Sequence, residues 1–178
     1  MFFREIETER LLLKNISKED NKFILKHFSD ESVNKYLYDA EPLSNLKEAD
    51  DIINFYLKSE PRAQHRWIIY HKFDRKKIGT CGFHFWDRAN SSVDIGYDLQ
   101  KEYWCKGIMS EALSKVLSFA VNEMNVKKIN AHIYTDNIAS ISLTRKLGFT
   151  FNGETEICVF RGKEYLHHIY TLDRSLHK

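Results

Sequence analysis

The sequence predicts an α+β fold built around one mixed sheet, and three observations carry that prediction. Val93 to Leu99 alternates with a period of two, placing Val93, Ile95, Tyr97 and Leu99 opposite Asp94, Gly96 and Asp98, and the period switches to a helical one near Gly107. Lys128 to Tyr134 then alternates again, and two strands separated by a helix are expected to run parallel as a β-α-β unit. The remaining strands follow one another through short turns, as antiparallel neighbours do, in a meander before the parallel pair and a hairpin at the end. The full order is β α α β β β α β α β β.

Each element has its own signal. Arg10 to Lys14 is a short apolar segment that makes a first strand. Ser17 and Asp20 have the spacing of a capping box, with Asp in place of the usual Glu, and Phe23, Ile24, His27 and Phe28 continue as one helical face. Asp30 to Pro42 is aromatic and acidic without a clear period. A second helical stripe runs through Leu46, Ala49, Ile52, Ile53, Tyr56 and Leu57 and stops before Pro61, since a proline disfavours helical geometry in the residue before it.

Arg66 to His71 and Lys77 to Trp86 are strands joined by Phe73 to Lys76, and Arg88 to Ser92 turns the chain into the strand ending at Leu99. The central helix carries Met109, Ala112, Leu113, Val116, Leu117, Ala120, Val121 and Met124 on a buried stripe, with Ser110, Glu111, Ser114, Lys115 and Ser118 on the other side. Asp136 or Asn137 caps the next helix, whose apolar positions are Ile138, Ile141, Leu143 and Leu147, and Gly148 sits where a left-handed terminus is wanted. Thr155 to Phe160, a turn at Arg161 to Lys163, and Tyr165 to Leu172 close the chain.

The 178 residues, 43% hydrophobic and 13% aromatic, suffice for one sizeable core, and no linker or repeat divides them, so residues 1–178 are read as one domain. Lys and Arg number 27 against 25 Asp and Glu and are evenly mixed, which argues against a nucleic-acid footprint. No run approaches a membrane span and the start has no long apolar stretch for a signal sequence, so a soluble, cytoplasmic protein is expected. Cys81, Cys105 and Cys158 are isolated in sequence and lack metal or redox spacing, so no metal is expected.

The strand-to-helix junction is the most informative place. The first N–H groups of a helix lack intrahelical partners and point, with the positive dipole end, at one spot that suits an anion. Gly107 lets a ligand approach the backbone, and Lys101, Lys106 and Lys115 add positive charge around it.

The order of elements, with Y-W-C-K-G-I-M-S-E-A-L and D-N-I-A-S-I-S-L-T-R-K-L-G-F, resembles the GNAT N-acetyltransferases and in particular their RimJ/RimL branch. E-T-E-R-L-L-L, I-G-T-C-G-F, D-I-G-Y-D-L and the closing R-G-K-E-Y and I-Y-T-L match that branch in order and spacing. The resemblance implies a GNAT-like sheet with a splayed parallel pair, and acetyl-CoA as acetyl donor. It implies a pyrophosphate cradle from Trp104, Cys105, Lys106, Gly107, Ile108, Met109 and Ser110, and pantetheine pairing with the backbone of Tyr97, Asp98 and Leu99. Asn137 and Ser140 fall on family positions near pantetheine, and Arg145 and Lys146 on the side of the adenosine phosphates. Cys105 and Met109 depart from the branch, which commonly has Gly, and Gly or Ala, at these positions; a positive φ at Cys105 would bring strain that glycine avoids.

The resemblance also implies the chemistry. Asp94 matches a branch carboxylate, usually Glu, that precedes I-G-Y, and is the candidate base, acting through a water with its pKa raised by burial beside Tyr97 and Trp86. His84 and His132 are rival bases. The position at which some relatives carry a tyrosine acid is Thr144, so no acid is assigned. The acceptor is a primary amine, a protein N-terminus or a small molecule, and a homodimer is allowed. Glu31, Tyr36, Tyr38, Asp39 and Glu41 give the Asp30 to Pro61 region a character suited to a cationic amine. The alternatives are a non-catalytic acyl-CoA-binding domain and a ribosome-surface module.

Overall fold

The computed structural model describes residues 2–38, 40–59 and 61–174, so Asp39 lies outside the described residues. Among these, eight strands form one sheet in the order β1-β2-β3-β4-β5-β6-β8-β7. The strands are β1 (Ile6–Glu7), β2 (Leu11–Asn15), β3 (His65–His71), β4 (Lys76–Asp87), β5 (Ser92–Leu99), β6 (Lys128–Tyr134), β7 (Thr150–Phe160) and β8 (Lys163–Asp173). The helices are α1 (Asn21–Phe28), α2 (Glu31–Asn34), α3 (Leu46–Tyr56), α4 (Ile108–Asn122) and α5 (Ile138–Lys146).

The mixed sheet and its parallel pair are as the sequence predicts, with two additions. A two-residue strand, β1, pairs antiparallel with β2, and a one-turn helix, α2, interrupts the segment that shows no period. Both are too short for a periodic signal. Asp30 starts α2 by accepting from the N–H groups of Ser32 at 2.8 Å and Val33 at 3.3 Å, and Asn45 caps α3 by accepting from Glu48 N–H at 3.1 Å. At Ser17 the expected box is closed by its N–H donating to Asp20 Oδ2 at 2.7 Å, although the turn it opens is a 3-10 turn leading into α1.

Helices cover both faces of the sheet. One core joins Leu11, Leu13, Trp67, Phe83, Val93, Ile95, Ile129 and Ile133 to the buried stripe of α4 and to Ile141 of α5. A smaller core packs Ile24 of α1 and Ala49, Ile53 and Tyr56 of α3 on Ile68 of β3. The stripes are shorter than expected: Leu46 and Leu57 at the ends of α3 and Ile138 at the start of α5 are exposed. β4 lies close to β5, and a Cβ at Gly79 would fall 2.3 Å from the Asp98 carbonyl oxygen, which accounts for the first glycine of I-G-T-C-G-F.

β5 and β6 share only a short ladder. Ser92, Val93 and Asp94 face Lys128, Ile129 and Asn130, and there the pairing ends, although β5 continues to Leu99 beside β4 and β6 to Tyr134 beside β8. The two parallel strands therefore diverge toward their C-terminal ends, and from Ile95 onward this edge of β5 has no strand against it among the described residues.

Candidate active site

The open edge of β5 leads directly into the loop before α4. Lys101–Tyr103 form a 3-10 turn, and Tyr103 is anchored by donating its hydroxyl to Asp74 Oδ2 at 2.8 Å. The Trp104 indole N–H donates to the Leu99 carbonyl at 2.7 Å, folding the loop back on the end of β5. Cys105 and Gly107 both take left-handed backbone, with φ of 57° and 73°, and α4 begins immediately after. Ile108 and Met109 bury their side chains in the core, which leaves the first turn of α4 presenting backbone to the opening.

The chemistry of this cradle suits a phosphate: the first N–H groups of α4 open onto it, and the Arg10 guanidinium lies against it, with Nη2 3.6 Å from where a Gly107 Cβ would stand. The predicted loop residues Trp104, Cys105, Lys106, Gly107, Ile108, Met109 and Ser110 lie together at one helix N-terminus, directly after the part of β5 that β6 leaves open.

The other predicted contacts fall on two sides of the gap. Tyr97 of β5 and Ser140 of α5 share a hydrogen bond of 2.6 Å, and burial pushes the Tyr97 hydroxyl up to about 12, so it keeps its proton at neutral pH. Asn137 caps α5, its side chain accepting from Ser140 N–H at 3.2 Å. Arg145 is exposed, its guanidinium 5.8 Å from the centre of the Tyr170 ring.

Asp94 stands on the last shared rung of β5 and β6. It accepts from Asn130 Nδ2 at 3.2 Å, and its Oδ2 is 3.4 Å from His132 Nε2. The expected aromatic surroundings are absent: Tyr97 and Trp86 pack on the α4 side of the sheet, whereas Asp94 alternates to the other face. Its neighbours are polar because both strands turn polar residues to that face at the point where they part.

The same geometry weakens both rival bases. The hydrogen bond with Asp94, aided by Glu156, raises His132 to about 9, so it is already protonated at neutral pH. His84 is neutral, pushed down to about 4 by burial and by Arg66, but its Nε2 lone pair faces Arg66 Nη2 at 3.1 Å. An arginine only donates, so that nitrogen is occupied as an acceptor.

Asp98 has a role that strand alternation alone did not reveal. Its carboxylate lies buried between His27 Nε2 at 2.5 Å and Arg66 Nη1 at 3.0 Å, and also accepts from Thr80 N–H at 2.9 Å. Burial raises the Asp98 carboxyl, but His27 and Arg66 outweigh it and hold it below the usual carboxylate range. Its predicted contact with pantetheine would be through backbone, because its side chain is turned under α1.

A hollow of about 500 Å³ opens between α2 and the β7–β8 hairpin, lined by Glu31, Lys35, Tyr38, Arg161, Lys163 and Tyr165 among others. Tyr38 stacks on Tyr165 with ring centres 3.7 Å apart and meets Tyr134 edge-on at 5.0 Å, and Tyr134 donates to Asp136 Oδ2 at 3.0 Å. Arg161 pairs with Glu41 across the rim.

Comparison with known proteins agrees with this geometry. Residues 10–150 match the family model described as an acetyltransferase (GNAT) domain. The uncharacterized N-acetyltransferase YoaA of Bacillus subtilis is 32% identical over 173 residues, 96% of this chain and 97% of that one. The uncharacterized N-acetyltransferase p20 of Bacillus licheniformis is 35% identical over 148 residues, 82% of each chain. Among solved structures, spermidine N-acetyltransferase from Vibrio cholerae in complex with CoA and spermine superposes with a TM-score of 0.82 at 18% identity, covering 94% of this chain and 98% of that one.

Proposed function

This chain belongs to the GNAT acetyltransferase family, and we propose that, as an N-acetyltransferase, it transfers an acetyl group from acetyl-CoA to a primary amine by direct attack on the thioester. The observation that carries this reading is the divergence of β5 from β6 after Asp94, beside a left-handed Gly107 at the start of α4. An unpaired strand edge can pair with an extended amide chain, a helix N-terminus can hold a diphosphate, and here the one leads directly into the other.

Trp104 to Ser110 would hold the pyrophosphate, and the edge of Tyr97 to Leu99 the pantetheine. In the reaction the amine nitrogen forms a bond to the acetyl carbon as the carbon–sulfur bond breaks. The amine proton passes through a water to Asp94, and the thiolate leaves to take a proton from solvent. Backbone N–H groups along the open edge of β5 are the available donors for the carbonyl oxygen as charge develops on it. His132, held positive between Asp94 and Glu156, keeps a cation next to the base.

For the acceptor, the hollow beside Tyr38 and Tyr165 offers aromatic faces to an amine. Its lining sets Lys35 and Lys163 against Glu31, with Arg161 answered by Glu41, so the aromatic rings and not the charge of the hollow support an amine there. Two acceptor classes are favoured. The V. cholerae spermidine N-acetyltransferase was solved with spermine, which supports a polyamine-like amine. The resemblance to the RimJ/RimL branch supports a protein N-terminus. Incubation with acetyl-CoA and a panel of polyamines, small amines and peptides, in a cytoplasm-like buffer, tests the reading by CoA release and by mass spectrometry of the acetylated nitrogen. CoA binding without release on any amine would leave the non-catalytic alternative standing.

A further inference from the structure

Thr8 and Arg10, from the E-T-E-R-L-L-L stretch, meet the first turn of α4 although they are a hundred positions away in sequence. Glu111 Oε1 accepts from Thr8 Oγ1 at 2.5 Å and from the Arg10 backbone N–H at 2.9 Å, while its Oε2 accepts from Arg10 Nε at 2.6 Å. Arg10 Nη1 extends past the helix start to donate to the Lys106 carbonyl at 3.0 Å. One guanidinium thus grips the residues on both sides of Gly107, with its Nη2 3.6 Å from the position of a Cβ there.

The arrangement resolves an electrostatic conflict. A glutamate in the first turn suits the helix dipole but sets a fixed negative charge beside a cradle for another anion. Glu111 is mostly buried, its side chain 18% exposed, and burial alone would raise its carboxyl. Thr8 and Arg10 outweigh burial and hold it below the usual carboxylate range, and Arg10 also neutralises it. The loop needs an external support as well, since left-handed residues at Cys105 and Gly107 give it neither a helical nor a sheet ladder of its own.

We propose that Arg10, seated by Thr8 and Glu111, is a positioning residue that sets the Lys106–Gly107 backbone in its phosphate-binding conformation before acetyl-CoA arrives. Preorganisation of this kind lowers the ordering cost of binding. The proposal rests on the reading of Trp104 to Ser110 as the cofactor loop.

The test compares the wild type with Arg10→Met, Arg10→Lys, Glu111→Gln and Gly107→Val by calorimetry with CoA, by hydrogen exchange of the 106–108 amides in the free protein, and by thermal unfolding. Arg10→Met is expected to weaken CoA by about tenfold or more and to speed exchange at those amides. The KM for acetyl-CoA should rise while that for the amine stays. Arg10→Lys should recover part of the loss, because it keeps the charge without the planar fork. Glu111→Gln divides the two possible roles: a glutamate acting only as a charge predicts tighter CoA on its removal, and an anchor for Arg10 predicts weaker. Tighter binding in Glu111→Gln overturns the proposal. So does unchanged affinity and exchange in Arg10→Met while Gly107→Val weakens CoA. If Gly107→Val also leaves affinity unchanged, the loop reading itself fails and takes the brace with it. Should Arg10→Met not fold, Arg10→Lys and Glu111→Gln decide the matter alone.

Discussion

His132 Nε2 stands 3.4 Å from Asp94 Oδ2, and its other ring nitrogen is 2.7 Å from Glu156 Oε2, so one imidazole joins the candidate base to the closing hairpin. The hydrogen bond to Asp94 lifts its pKa from 6.5 to about 9, with Glu156 helping and partial burial opposing. The folded protein therefore binds this proton more tightly than the unfolded chain. Stability from the site is complete below about 6.5 and is lost as pH rises through about 9. The ring is 34% exposed, so solvent screening keeps the effect small. His132→Gln should flatten the decline in urea midpoint between those two pH values, and an undiminished decline would show that the pairing does not form.

Asp94→Asn removes the acceptor and nearly keeps the shape. Turnover should fall by about 10² or more, the usual size of a general-base contribution, while calorimetric affinity for CoA barely moves. The acidic limb of kcat/KM should disappear in the variant, and Asp94→Glu should keep or improve activity. His132→Gln should retain most turnover, because a nitrogen that is already protonated does not accept the amine proton. Near-full turnover in Asp94→Asn with an intact acidic limb would remove Asp94 from the mechanism.

Cys105 has φ of 57°, a conformation that costs a non-glycine residue about 1–2 kcal/mol. Cys105→Gly should remove that strain. The extra freedom of glycine in the unfolded chain offsets part of it, leaving a gain of at most about 1 kcal/mol in urea unfolding. CoA affinity should stay equal or improve, and in the wild type bound CoA should slow alkylation of this exposed thiol. Weaker binding after the change to glycine would mean that the thiol itself touches the cofactor.

The sheet and its parallel pair were legible because β5, α4 and β6 each carry a sustained period, and the loop was legible because Gly107 sits where that period switches. The partners of Asp98 were not. Alternation along β5 places Asp98 on the face opposite Leu99, but whether that face meets water or helices depends on where α1 and α3 pack. A sheet covered on both sides does not alternate cleanly between core and solvent. Arg66, inside the Arg66–His71 strand, was the available sign, since a charged residue in such a strand needs a buried partner. Glu111 was read onto the solvent side of α4 for a similar reason: its helix position is correct, but the Thr8–Arg10 connection that covers it comes from the other end of the sequence.

Asp94 and Asp98 lie four residues apart on the same face of β5, and the same substitution should cost far more stability at Asp98 than at Asp94. The Asp98 side chain is 6% exposed and holds His27, Arg66 and Thr80, whereas that of Asp94 is 24% exposed. Asp98→Asn keeps the size but leaves Arg66 buried without its counter-charge, which typically costs about 3–5 kcal/mol. Asp94→Asn loses a partly solvated pair and should cost less than about 1 kcal/mol. Since the Asp98 carboxyl is held below its ordinary range, its contribution is present above the unfolded pKa and is lost as pH falls through the folded one. Urea unfolding at neutral pH and again at about pH 3 should therefore show a large gap between wild type and Asp98→Asn that narrows in acid. Equal stability of the two variants at neutral pH would mean that the buried carboxylate is not the tie between β5, β3 and α1 that its geometry describes.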